Sequence, residues 1–204
     1  MTTLRLHQLG IEGAWEVTPE QHRDSRGLFL EWYRFDRLAE KVGHPLRLAQ
    51  ASMSVSRRGV VRGIHFADVP PGQAKYVTCV HGAVLDVVAD LRVGSPTYGR
   101  WESVRLDDAN RKALYISEGM GHGVCALTDR ATLSYLCSQT YNPTGERSIH
   151  PLDPELAVHW PGGELHFSPR DQAAPLLGEA RSGGLLPDYA ACRAFTKSLS
   201  TGSA

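Results

Sequence analysis

The segment "KYVTCVHGAVLDVVADLRV", residues 75–93, constrains the fold more than any other stretch. It is a short apolar run, a glycine-containing turn and a second run. In the second run Leu85, Val87, Ala89 and Leu91 alternate with Val84, Asp86, Val88 and Asp90. A period of two gives one wholly apolar face and one mixed face, the signature of a strand packed on a core. "VGSPTYG" then turns the chain into "RWESVRL", and "KALYI", "HGVCAL" and "ATLSYLCSQTY" follow at similar spacing. Strands this short and this regular predict a sandwich or barrel and exclude a parallel α/β sheet.

Helical signals are few. Phe35, Leu38, Ala39 and Val42 recur at helical spacing within residues 32–42, before Gly43. Two short helical pieces follow Gly178, broken by "GG" and "LP". With 204 residues and no linker or repeat, the chain is expected to form one all-β domain over 1–204 with a few short peripheral helices. The 22 Lys and Arg balance 22 Asp and Glu, so no electrostatic footprint for nucleic acid or an anionic membrane is present. The opening residues lack the apolar region of a secretory signal, and no apolar run reaches membrane-spanning length. Cys79, Cys125, Cys137 and Cys192 have no CxxC spacing and sit in apolar surroundings, which predicts reduced, buried thiols in a cytoplasmic protein.

Phosphate-binding glycine loops, HExxH and GxSxG are absent. "SEGMGH" (117–122) resembles one metal-binding segment of cupins, with His122 in the ligand position. The companion HxH is missing, because His65 is followed by Phe66 and Ala67. One or two isolated histidines fall short of the three or four protein ligands of a stable site, so no metal and no other cofactor are expected.

"GVVRGIHFADVPPGQAKYV" (59–77) begins as a buried strand yet carries Arg62, His65 and Lys75 around a proline-rich bend. Strict alternation puts Val60, Arg62, Ile64 and Phe66 on one face and Val61, Gly63 and His65 on the other. An arginine on an apolar face needs an anion or an outlet to solvent. A bulge at Gly63 would turn Arg62 back toward His65. Alone, His65 reads equally as a core histidine, Tyr135 as an amphipathic filler and Asp171 as a turn residue.

Seven segments in order resemble the dTDP-4-dehydrorhamnose 3,5-epimerase family. They are "DSRGLFLE" (24–31), "GVVRGIHF" (59–66), residues 74–101, "LYISEGMGHGVCAL" (114–127), "SYLCSQTYNPTGERSI" (134–149), "DPELAVHWP" (153–161) and "SPRDQAAPLL" (168–177). The resemblance implies a cupin-type jelly roll without metal or cofactor, working as a homodimer on a dTDP-4-keto-6-deoxyhexose. It implies His65 as base, Asp171 as its carboxylate partner, Tyr135 as proton donor to the opposite face, and Lys75 as the cation beside the developing enolate. Arg26, Glu31, Gln50, Ser52, Arg62, His122, Tyr141, Glu146 and Arg170 fall on positions that bind the nucleotide sugar.

Chemistry accounts for these types. A C–H beside a ketone is far less acidic than an imidazolium, which loses its proton near about 6.5. A histidine can remove that proton only where the enolate is stabilised as it forms. Inversion also needs a second acid across the ring, and arginines fork onto phosphate oxygens without a glycine loop.

The chain departs from the family at "QASMS" (50–54), where Ala51 and Ser52 replace Asp and Asn, and at Leu136 and Thr140. "ADVPPG" and "LLPDYAAC" (185–192) likewise resemble the branch that serves antibiotic deoxysugars. The expected reaction is epimerisation at C3, with double inversion at C3 and C5 as the alternative. A metal-dependent cupin enzyme and a non-catalytic nucleotide-sugar module are the other classes weighed; the missing HxH opposes the first and the joint presence of His65, Lys75, Tyr135 and Asp171 the second.

Overall fold

The computed structural model describes residues 3–201. Two antiparallel sheets carry the architecture. The first has six strands in the order β1 (Leu4–Gln8), β2 (Ala14–Pro19), β10 (Ala113–Ile116), β7 (Lys75–His81), β12 (Ala131–Cys137) and β5 (Gln50–Ser56). The second has five, in the order β13 (Glu146–Ser148), β6 (Val61–Ala67), β11 (Gly121–Ala126), β8 (Ala83–Ala89) and β9 (Trp101–Asp107). A small hairpin, β3 (His22–Asp24) and β4 (Gly27–Phe29), stands apart. This is a cupin-like jelly roll, with four short helices outside it: α1 (Phe35–Val42), α2 (Pro169–Gln172), α3 (Leu177–Ser182) and α4 (Tyr189–Thr201).

The five-stranded sheet is covered on both faces at β8, which explains the nearly continuous apolar character of that strand. Val84 and Val88, from its mixed face, point between the sheets with Val77, Leu106, Leu114 and Leu133. Val87 and Ala89, from its wholly apolar face, point outward beneath Ile149, Leu156, Leu177 and Ala180. The mixed face is therefore the interior one, and Asp86 lies fully buried inside the sandwich.

Two elements end elsewhere than the sequence pattern predicts. Strand β8 stops at Ala89, because Asp90 turns inward to hold the following corner. Its carboxylate accepts two hydrogen bonds from Arg92, at 2.8 Å each, and one from Thr97 Oγ1 at 2.6 Å. Helix α1 starts at Phe35, not near residue 32, since Trp32 and Tyr33 pack their rings on Tyr76 and the Tyr76 hydroxyl donates to Trp32 O at 2.6 Å. Phe35 stays exposed, leaving Leu38 as the buried residue of this helix.

The strand β6 does not alternate strictly. His65 pairs with His122 and Arg62 with Val124, so one extra residue stands in β6 opposite β11. Gly63 sits at this bulge with φ of 128°, and a Cβ there would lie 2.5 Å from Gly123 Cα. No other residue fits such a close approach of two backbones. The bulge returns Arg62 to the face of His65, while Ile64 and Phe66 stay in the outer core. The strict-alternation grouping of Arg62 with Ile64 and Phe66 is thereby corrected, and the bulge expected at Gly63 is present.

Candidate active site

The cleft lies between the sheets beside the edge strand β5. Its volume is about 410 Å³, and its walls include His65, Lys75, Tyr135, Arg62, His122, Ser52 and Tyr141. His65 comes from β6 of the five-stranded sheet, whereas Tyr135 and Lys75 come from β12 and β7 of the six-stranded sheet. The imidazole and the phenol thus enter one cleft from opposing sheets.

The β6 wall carries a histidine–carboxylate pair. His65 Nε2–H donates to Asp171 Oδ1 at 2.7 Å, which leaves Nδ1 as the basic nitrogen. Asp171 is buried on α2, whose N-terminus is built by Ser168, Pro169 and the Asp171 N–H donating to Ser168 Oγ at 3.1 Å. Burial alone would raise this carboxyl; hydrogen bonds from His65, Ser168 and the Gly63 N–H outweigh it and hold the group below the usual carboxylate range. His122, beside His65 in the ladder, donates from Nε2 to the buried Asp86 Oδ1 at 2.8 Å.

On the opposite wall the Tyr135 hydroxyl hydrogen-bonds Ser54 Oγ at 3.2 Å, and burial pushes the phenol up to about 12. The phenol therefore enters a reaction protonated. Burial also lowers the Lys75 ammonium from its ordinary value, and no ion-pair partner lies against it among the described residues. A partly desolvated cation of this kind is suited to a developing oxyanion.

Gln50 stands one step behind the cleft, donating to Ser52 Oγ at 2.8 Å and accepting from the Tyr141 N–H at 2.8 Å. Arg170 lines an adjoining hollow that shares Arg62 and His65, and its Nη2 donates to Glu146 O at 3.2 Å. Glu146 lines the hollow on the other side, which shares Gln73 and Tyr141. Arg26 and Glu31, also expected at the site, lie away from both the cleft and the adjoining hollows. The Arg26 side chain is 88 % exposed at the β3–β4 turn and pairs with Asp24, while Glu31 pairs with Arg34. Their hairpin pairs with neither large sheet.

Sequence reasoning overlooked Ser54. The available signal was the period-two recurrence of Gln50, Ser52, Ser54 and Ser56, which turns out to be the inward face of β5. Among the described residues, no group of three or more His, Cys, Asp or Glu side chains could hold a metal ion, and no helix is long and apolar enough to cross a membrane.

The family profile described as dTDP-4-dehydrorhamnose 3,5-epimerase matches residues 8–179. The chain belongs to this family. It is therefore an isomerase of the epimerase type. A dTDP-4-dehydrorhamnose 3-epimerase of Streptomyces niveus is 68 % identical over 193 residues, covering 95 % of this chain and 93 % of that protein. A dTDP-4-dehydrorhamnose 3,5-epimerase of Mycolicibacterium smegmatis is 53 % identical over 193 residues, covering 94 % and 95 %. The solved structure of NovW, a 4-keto-6-deoxy sugar epimerase from the novobiocin biosynthetic gene cluster of Streptomyces spheroides, superposes with a TM-score of 0.92. It is 68 % identical and covers 93 % of this chain and 96 % of that one.

Proposed function

We infer that the protein epimerises a dTDP-4-keto-6-deoxyhexose at C3, in a pathway to an antibiotic deoxysugar. The observation that carries this reading is the placement of a His–carboxylate pair and a protonated tyrosine on opposing sheets of one cleft. His65 Nδ1 takes the C3 proton, and the electrons of that C–H bond move onto the C4 oxygen. Lys75 meets the enolate oxygen as it gains charge. Collapse of the enolate takes the phenolic proton of Tyr135 onto C3 from the other face, which inverts the centre. The imidazolium then loses its proton to solvent and the phenolate regains one. Each positioned acid or base contributes about 10²–10⁴-fold in such a scheme. Arg62 and Arg170, in adjoining hollows, suit the diphosphate.

The higher identity to a 3-epimerase than to a 3,5-epimerase favours inversion at C3 alone. The enzyme is incubated with dTDP-4-keto-6-deoxyglucose in heavy water and the label located by NMR. Deuterium is expected at C3 only; label at both C3 and C5 overturns the regiochemistry, and no label from folded protein overturns the epimerase reading for this sugar.

We further read the protein as one catalytic domain and a homodimer. Strand β5 turns Met53 (65 % exposed) and Val55 (52 % exposed) outward, and Phe29 on β4 is 65 % exposed, so apolar surface is available to a second copy. Arg26 and Glu31, on and just after the hairpin, would then serve the partner's cleft. The four buried free cysteines are consistent with a cytoplasmic protein.

A further inference from the structure

The inward face of β5 is polar at every position: Gln50, Ser52, Ser54 and Ser56 point toward the sandwich, while Ala51, Met53 and Val55 face outward and are exposed. An edge strand packed on a core ordinarily shows the reverse pattern. The polar residues each hold a neighbour. Gln50 receives the Tyr141 N–H at 2.8 Å, and Ser56 Oγ accepts from Arg62 Nε at 3.1 Å. Ser54 Oγ meets the Tyr135 hydroxyl at 3.2 Å. It is the hydrogen-bond partner of that hydroxyl among the described residues, since Ser52, which pairs with Tyr135 across the ladder, is engaged by Gln50.

We propose that Ser54 is the positioning residue for proton delivery: it aims the Tyr135 hydroxyl across the cleft and, once the proton has left, donates its own hydrogen to the phenolate. The proposal rests on the reading of Tyr135 as the acid. The phenol gives up its proton in a partly desolvated site, and water has poor access to the oxyanion that remains. A hydroxyl already within hydrogen-bonding distance compensates that charge without reorganising. Ser54 does not touch the proton-abstraction half of the reaction, which belongs to His65, Asp171 and Lys75 on other elements. Its loss must therefore change one half-reaction and spare the other.

This asymmetry makes the proposal measurable. In heavy water, His65 can return a deuteron to the face it deprotonated, giving label without inversion; inversion requires Tyr135. Initial rates of C3 labelling and of formation of the inverted sugar are followed together by NMR for Ser54→Ala and Ser54→Cys, both close in volume to serine and both without a strong hydroxyl donor. The ratio of inversion to labelling is expected to fall about tenfold in each, which corresponds to about 1.4 kcal/mol in the delivery barrier, with labelling itself reduced less than about threefold. A parallel fall of both rates in either variant means that Ser54 is merely structural and overturns the proposal, as does an unchanged ratio. Tyr135→Phe is run alongside. If it leaves inversion intact, the reading of Tyr135 as the acid fails; if it abolishes inversion while the Ser54 variants keep the ratio, the failure belongs to Ser54 alone.

Discussion

On the β6 wall of the cleft, a half-exposed imidazole is tied at 2.7 Å to a buried carboxylate that three donors keep ionised. On the facing β5–β12 wall, a buried phenol meets a serine at 3.2 Å, and desolvation keeps its proton in place. Two buried carboxyls of the molecule also contrast. Asp171 has a partner and is held low; Glu118 is buried beside Ser138 with its Oε2 unpaired, and burial raises it to about 7. Under the proposed mechanism the β6 wall would take up a proton and the β5–β12 wall would deliver one. The difference teaches that acid and base roles can be assigned from environment before any ligand is considered.

The largest effect expected from breaking this comparison is chemical. His65→Ala should abolish both C3 labelling and inversion, by at least about 10²–10⁴-fold, measured by the same NMR assay; brisk labelling in that variant would remove His65 from the role of base. A smaller effect concerns how the β6 wall is shaped. Gly63→Ala forces a Cβ to 2.5 Å from Gly123 Cα at a positive φ, and should cost roughly 3 kcal/mol in urea unfolding. Gly162→Ala, where a Cβ meets nothing within 4 Å, should stay within about 0.5 kcal/mol.

The smallest effect distinguishes the two carboxyls by pH. For Asp171 the folded value lies below the unfolded one, so its stabilisation is present at neutral pH and is lost as pH falls through the acid range. Glu118 has the opposite sign: the folded state binds its proton more tightly, so stability declines as pH rises from the ordinary glutamate range to about 7 and the loss is complete above that. Glu118→Gln should therefore raise thermal stability at pH 8, by an amount on the order of 2 kcal/mol, and give no gain at pH 4. Equal gains at both values would mean that Glu118 ionises as freely in the folded chain as in the unfolded one.

Much of this architecture was legible from residue pattern. The period of two in residues 83–89 located a strand, and Gly63 flagged the bulge that returns Arg62 to the side of His65. Strand β5 was illegible for a physical reason: its apolar residues face out and its serines face in, so the usual polarity rule assigns it to the wrong side or to a loop. Asp171 looked like a turn residue because its partner is 106 positions away. "SPRD" did carry a helix-start signal, with Ser168 as cap and Pro169 in the first turn. The start of α1 was misplaced because aromatic packing of Trp32 and Tyr33 on Tyr76 outweighs their fit to a helical stripe. The placement of His65 opposite Tyr135 came from family resemblance, since pairing between sheets leaves no local trace in composition.

Because β5 is an edge strand, only β12 depends on it for backbone pairing, and three of its four inward side chains are serines. Substitutions there reshape one side of the reaction vessel while the valine and leucine interior between the sheets stays as it is. The strand is thus a place where side chains that face the cleft can change at low risk to folding. Of the two departures in this strand, Ser52 lines the cleft and Ala51 faces outward, so Ser52 is the one whose replacement changes the shape of the cleft.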